Sequence, residues 1–86
     1  MKFKNSVAIV RTRKDNVVGS HMISTYDYQK ENPNQFVYGE YRCEQFELVE
    51  TVGGRVIVKT EETLRHSKVK ITNEIIFENV TEVEIL

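Results

Sequence analysis

Two adjacent glycines, in Val52-Gly53-Gly54-Arg55, constrain this chain more than any other feature. They stand between runs rich in β-branched residues. Glycine adopts positive φ at little cost, so a Gly-Gly pair in that setting predicts a two-residue hairpin. Pairing outward from it sets Thr51 against Val56, Val49 against Val58 and Glu47 against Thr60. The other face then carries Phe46, Leu48, Val52 and Ile57 beside Glu50, Arg55 and Lys59. Both faces are partly apolar, which suits a curled sheet better than a flat one with a single wet side.

The rest of the chain repeats this strand-and-turn grammar. Phe3, Val7 and Ile9 fall on one face of a first strand region and Ala8 and Val10 on the other. Arg13-Lys14-Asp15-Asn16 has turn chemistry before Val17-Val18 restart the pattern. Lys68-Val69-Lys70-Ile71 alternates as a half-buried strand would, with a second hairpin turn expected at Thr72-Asn73-Glu74. Ile75-Ile76-Phe77 reads as strand, a break follows at Glu78-Asn79, and the alternation resumes from Val80 to Ile85. Residues 29–35 read as a polar loop around Pro33. Residues 60–67 read as a wide loop or one helical turn capped by Thr60. The expectation is an all-β domain over residues 1–86, a small barrel or strongly curled antiparallel sheet of five to seven strands with at most one short helical turn. Its expected core is Val7, Ile9, Val49, Val56, Val58, Val69, Ile71, Ile75, Phe77 and Val83.

Eighty-six residues suffice for one core and not two. With 40% apolar and 29% charged residues the composition is that of a globular domain rather than a disordered tail. No apolar run exceeds four residues, the length of Val7 to Val10, which predicts neither a membrane span nor a signal peptide and places the chain in the cytoplasm. One cysteine and two histidines predict no internal disulfide, no metal site and no cofactor. The formal charge is −1, yet residues 1–30 carry +4 and residues 31–86 carry −5. Packing the two ends side by side would neutralise both.

Gly19-Ser20-His21-Met22 matches the remnant that a cleaved purification tag leaves behind. Two readings stand: an engineered junction, in which His21 has no function, and a native strand segment.

Catalytic chemistry has little to work with. Cys43 has Arg42 beside it, but neighbours on a strand point to opposite faces, so the thiol reads as a small buried hydrophobe. His66 among cations lacks a nucleophile and an orienting acid. The carboxylates are scattered, and no phosphate-cradling glycine loop exists. The chain is therefore read as a non-enzyme, a description that fits many small phage and bacterial accessory proteins.

Six of the eight aromatics fall between Tyr26 and Phe46. The phenylalanines among them are expected in the core. Tyr26 and Tyr28 are expected to share a strand face, and together with Tyr38 and Tyr41 they are candidate protein contacts. The leading expectation is a protein-interaction module that binds a partner, or itself, through a strand edge or the tyrosine face. Glu82 and Glu84, on one face of the last strand, extend this to an inhibitor that presents an acidic decoy for phosphate. The alternative is single-stranded nucleic-acid binding, with Lys2, Lys4, Arg11, Arg13 and Lys14 on an N-terminal hairpin and the tyrosines stacking on bases.

Overall fold

The computed structural model describes residues 1–34 and 41–86. Within them the chain runs through β1 (Lys2–Phe3), β2 (Val7–Lys14), β3 (Val17–Thr25), α1 (Tyr26–Glu31), β4 (Tyr41–Cys43), β5 (Gln45–Thr51), β6 (Arg55–Thr63), β7 (Lys70–Phe77) and β8 (Val80–Ile85). The fold is mostly β, as expected, but its form differs. Eight strands make two open four-stranded sheets, ordered β1-β5-β6-β7 and β4-β3-β2-β8, in place of a closed or strongly curled sheet of five to seven. All pairings are antiparallel except β3 with β4. The chain changes sheets where a barrel would have continued around one. Between β4 and β5 the Glu44 N–H donates to the Glu61 carbonyl at 3.0 Å. Between β7 and β8, Asn79 turns the corner at φ 58°. The smallest dimension of the molecule, 19 Å, is what two stacked sheets about 10 Å apart occupy once their outer side chains are added.

The inner faces follow from period-2 alternation. Ala8, Val10, Ile23 and Cys43 of one sheet meet Phe46, Val56, Val58 and Phe77 of the other. Phe3 belongs to β1 rather than to the strand of Val7 and Ile9, and its ring stacks on Phe46 with centroids 5.2 Å apart. Of the expected core, Val7, Ile9, Val56, Val58 and Phe77 are buried, and Val49, Ile75 and Val83 are half-buried. Val69 and Ile71 are exposed, at 52% and 39%. Val7 and Ser24 are buried on the opposite face of their sheet, where Gln29 of α1 donates to Ser24 Oγ.

The hairpin at the paired glycines forms with a different register. Thr51 opposes Arg55, so the loop is Val52-Gly53-Gly54, with Gly53 at φ 87° and Gly54 at φ 74°. This one-residue shift sets Val56, Val58 and Thr60 opposite Glu50, Leu48 and Phe46. The two-residue loop would have turned Glu47 inward and Phe46 outward, and burial decides a register wherever one face is dry.

The turn expected at residues 72–74 is absent: all three lie inside β7, paired to β6 from Val56↔Phe77 to Thr63↔Lys70. The reversal occurs over residues 64–69, closed by Leu64 N–H to the Val69 carbonyl at 3.0 Å, with Lys68 at φ 55°. Residues 60–63 extend β6, so Thr60 caps nothing, and the single helical turn falls on residues 64–68, closed by the Lys68 N–H to the Leu64 carbonyl at 3.1 Å. The helix falls on Tyr26–Glu31, which the pattern had divided between strand and loop. Thr25 Oγ1 caps it by accepting from the Tyr28 N–H at 3.3 Å, and Asp27 and Lys30 suit its dipole.

The turn before Val17 is confined to Asp15-Asn16, both at positive φ, joining Lys14 to Val17 in a two-residue hairpin. Residues 19–22 sit in the middle of β3, opposite Thr12, Arg11, Val10 and Ile9. A Cβ at Gly19 would come within 2.7 Å of Thr12 Oγ1, so this position in the sheet is fitted to glycine.

Candidate functional site

The tyrosines do not form one face. Tyr26 and Tyr28 stand two apart on a helix, which directs them to different sides rather than to a shared strand face. The Tyr26 hydroxyl donates to Glu62 of β6, and this bond, with partial burial, pushes its pKa up to about 12. Tyr28 is half-buried in α1. Tyr41 sits edge-on to Phe77 at 6.0 Å, and His21 packs against the same ring at 4.9 Å. Tyr41 thus helps to close the core between the sheets. Tyr38 and Phe36 lie outside the described residues.

The cations are divided between the sheets. Lys2 is on β1 and pairs with Glu61 at 3.0 Å. With Gln45 also donating to it, the Glu61 carboxyl is held below its usual range. Lys4 lies beyond the end of β1, so it shares no strand face with Lys2. Arg11 of β2 reaches Glu82 at 3.7 Å and Glu84 at 3.4 Å. The two glutamates of β8 therefore flank an arginine of their own sheet. Arg13 and Lys14 are exposed beside the Asp15-Asn16 turn. These groups do not line one groove with the tyrosines.

Cys43 is 1% exposed, and burial pushes its thiol up to about 12, away from the thiolate needed for nucleophilic chemistry. Among the described residues, no three His, Cys, Asp or Glu side chains gather as a metal site. No described helix is long and apolar enough to cross a membrane.

The feature that sequence reasoning missed is the outer edge of β7. Strands β7 and β8 end their sheets with eight and six residues, whereas β1 and β4 have two and three. The Leu64–Val69 hydrogen bond sets the phase of the ladder. Stepping by two from that pair, Ile71, Asn73, Ile75 and Phe77 direct their backbone groups into β6. Lys70, Thr72, Glu74 and Ile76 then present theirs away from the sheet, where no described strand pairs with them. Ile76 is 55% exposed and continues an apolar row with Val49 and Ile57. Beside it Lys2, Glu47, Lys59 and Glu74 alternate in sign across the four strands. They border a shallow groove of about 400 Å³. Edges of this length are ordinarily blunted by proline, bulges or charged side chains, lysine above all. β8 carries glutamates and a register shift where it meets Arg11 and Thr12, while β7 has neither proline nor register shift, and its outward positions hold one charge of each sign, Lys70 and Glu74. The chain matches no family model, no curated protein and no solved structure.

Proposed function

We propose that this chain is a non-catalytic protein-interaction module that binds by main-chain pairing along the outer edge of β7. The observation that carries the reading is the row of four outward-facing backbone positions, Lys70, Thr72, Glu74 and Ile76, on an edge without proline or register shift. A strand added there gains main-chain hydrogen bonds, and its side chains meet Ile76 and the charged row on one face and Ile71 and Ile75 on the other. Specificity then comes from the alternating side chains and affinity from the backbone. The pairing of Lys2 with Glu61 and of Arg11 with Glu82 and Glu84 favours this reading over nucleic-acid binding. The same Arg11 contacts weigh against a free acidic decoy.

The test is affinity capture from the native cell lysate with the intact protein and with Thr72→Pro. The Thr72 N–H points away from β6, so proline there removes a donor from the edge and leaves the internal ladder complete. A partner held by the intact chain and lost by the variant supports the proposal. Partners held equally by both would overturn it.

A further inference from the structure

We infer that the strand accepted by the β7 edge is β7 of a second copy, antiparallel across a two-fold axis at Asn73, joining the two four-stranded sheets into one of eight. The inference rests on the edge-binding reading above. Symmetry limits the possibilities sharply. Paired residues in an antiparallel ladder point to the same face, and a two-fold axis normal to the sheet preserves that face, so the axis must pass through a residue and not between two.

An axis at Glu74 sets that carboxylate directly against its own copy, which like-charge pairing disfavours. An axis at Thr72 brings Lys70 opposite the other copy's Glu74 twice, but leaves Ile76 beyond the paired segment, opposite Lys68, whose φ of 55° has already left the strand. With the axis at Asn73 the pairs are Lys70 with Ile76, Ile71 with Ile75, Thr72 with Glu74, and Asn73 with itself. Seven of the eight residues of β7, Lys70 to Ile76, are used, and all four outward-facing positions find partners. Ile71 and Ile75 meet twice on the core-side face, and the lysine stem lies along the exposed Ile76. Glu74 lies diagonal to the other copy's Lys70, within reach of a long side chain. The alternative with two exposed ion pairs gains little, because such pairs are weak, whereas burial and hydrogen bonding both favour Asn73. The β8 edge cannot substitute: an axis at Val83 would set Glu82 against Glu84 twice.

Sedimentation over a concentration series tests the association, and cysteine cross-linking tests the axis. The intact chain should shift from monomer to dimer as concentration rises. Thr72→Pro should raise the dimer Kd about 10- to 100-fold, the effect of two hydrogen bonds lost per dimer. Glu74→Pro removes the equivalent outward donor and serves if the first variant folds poorly. Glu82→Lys, on the other edge, should leave the Kd unchanged. Mild oxidation of Asn73→Cys should give a covalent dimer, since facing residues of a non-hydrogen-bonded pair have Cα atoms about 4.5 Å apart. Thr72→Cys, displaced from the axis, should cross-link far more slowly. A monomer at every concentration would overturn self-pairing while the lysate capture with Thr72→Pro judges the edge itself. Faster cross-linking through Thr72→Cys, or a dimer indifferent to both prolines, would overturn the assigned interface.

Discussion

Phe46→Ala is the substitution to which this fold should respond most directly. The ring is 1% exposed, stacks on Phe3 from β1 and packs in the cluster that joins both sheets. Transfer of a fully buried phenylalanine from water contributes about 2–3 kcal/mol. The stacked pair adds about 1 kcal/mol more. Together these give about 3–4 kcal/mol, near the lower part of the range of about 3–5 kcal/mol typical of buried Phe→Ala changes. A domain of this length has about 4–13 kcal/mol in total. The loss is therefore a large fraction of its stability and corresponds to a fall in Tm of about 12–30 °C. Urea unfolding at a fixed, low protein concentration, which keeps self-association out of the midpoint, measures the change. Phe3→Leu in the same assay, alone and combined with Phe46→Leu, isolates the ring pair as a coupling of about 0.5–1.5 kcal/mol. A cost below about 1 kcal/mol for Phe46→Ala would refute the assignment of Phe46 to the centre of the core.

Gly54→Ala should destabilise more than Gly53→Ala, although both sit at positive φ, because only at Gly54 does the added carbon approach another atom, the Val80 carbonyl oxygen at 3.3 Å. Chemical denaturation should place Gly53→Ala near 1–2 kcal/mol, roughly the cost of the left-handed backbone alone, and Gly54→Ala above it. In an ultraviolet pH titration, Tyr26 should ionise near pH 12, and Tyr26→Phe should abolish that step. Since folding raises this pKa from 10.0, the stabilisation from the Tyr26–Glu62 bond is fully present below pH 10 and is lost as pH rises toward 12; unchanged stability across that window would contradict it. Cys43 should react with a thiol reagent only as fast as the protein opens, so mild denaturant should accelerate labelling steeply, and fast labelling of the native protein would count against its burial.

Much of the fold was legible because alternation is a local signal. The strands from Val7, Val17, Arg55 and Val80, the break at Asn79 and the turn at Asp15-Asn16 all follow from residues within a few positions of one another. What escaped needed tertiary information. Gly53-Gly54 signalled a reversal, but whether Val52 belonged to the loop depended on Phe46 finding the core across the sandwich. Thr72-Asn73-Glu74 has turn composition, yet β6 supplies a ladder that those residues complete. Tyr26–Glu31 carried an apolar-polar alternation, and the Thr25 cap outweighed it. The candidate site was the least visible part. An edge is defined by which strand has no neighbour, and strand order is not written in any short segment. The pairing of Arg11 with Glu82 and Glu84 was equally hidden, although the opposite charges of the two chain ends pointed toward it.

The pairing of β2 with β8 has a consequence for how the molecule is made. Arg11 and Glu84 are 73 positions apart, and the backbone groups of Val7 bond those of Leu86 in both directions. Closing so long a loop costs chain entropy before any contact repays it, which places folding among the slower β topologies, on a timescale of about milliseconds to seconds. On the ribosome, β2 and β3 can form their hairpin early, but β2 must then wait with one side unpaired until β8 is synthesised. During that interval the nascent chain offers a foreign strand the place that β8 will take. The glutamates that mark β8 meet Arg11 there, so the native strand arrives with a charge match that few competing segments carry.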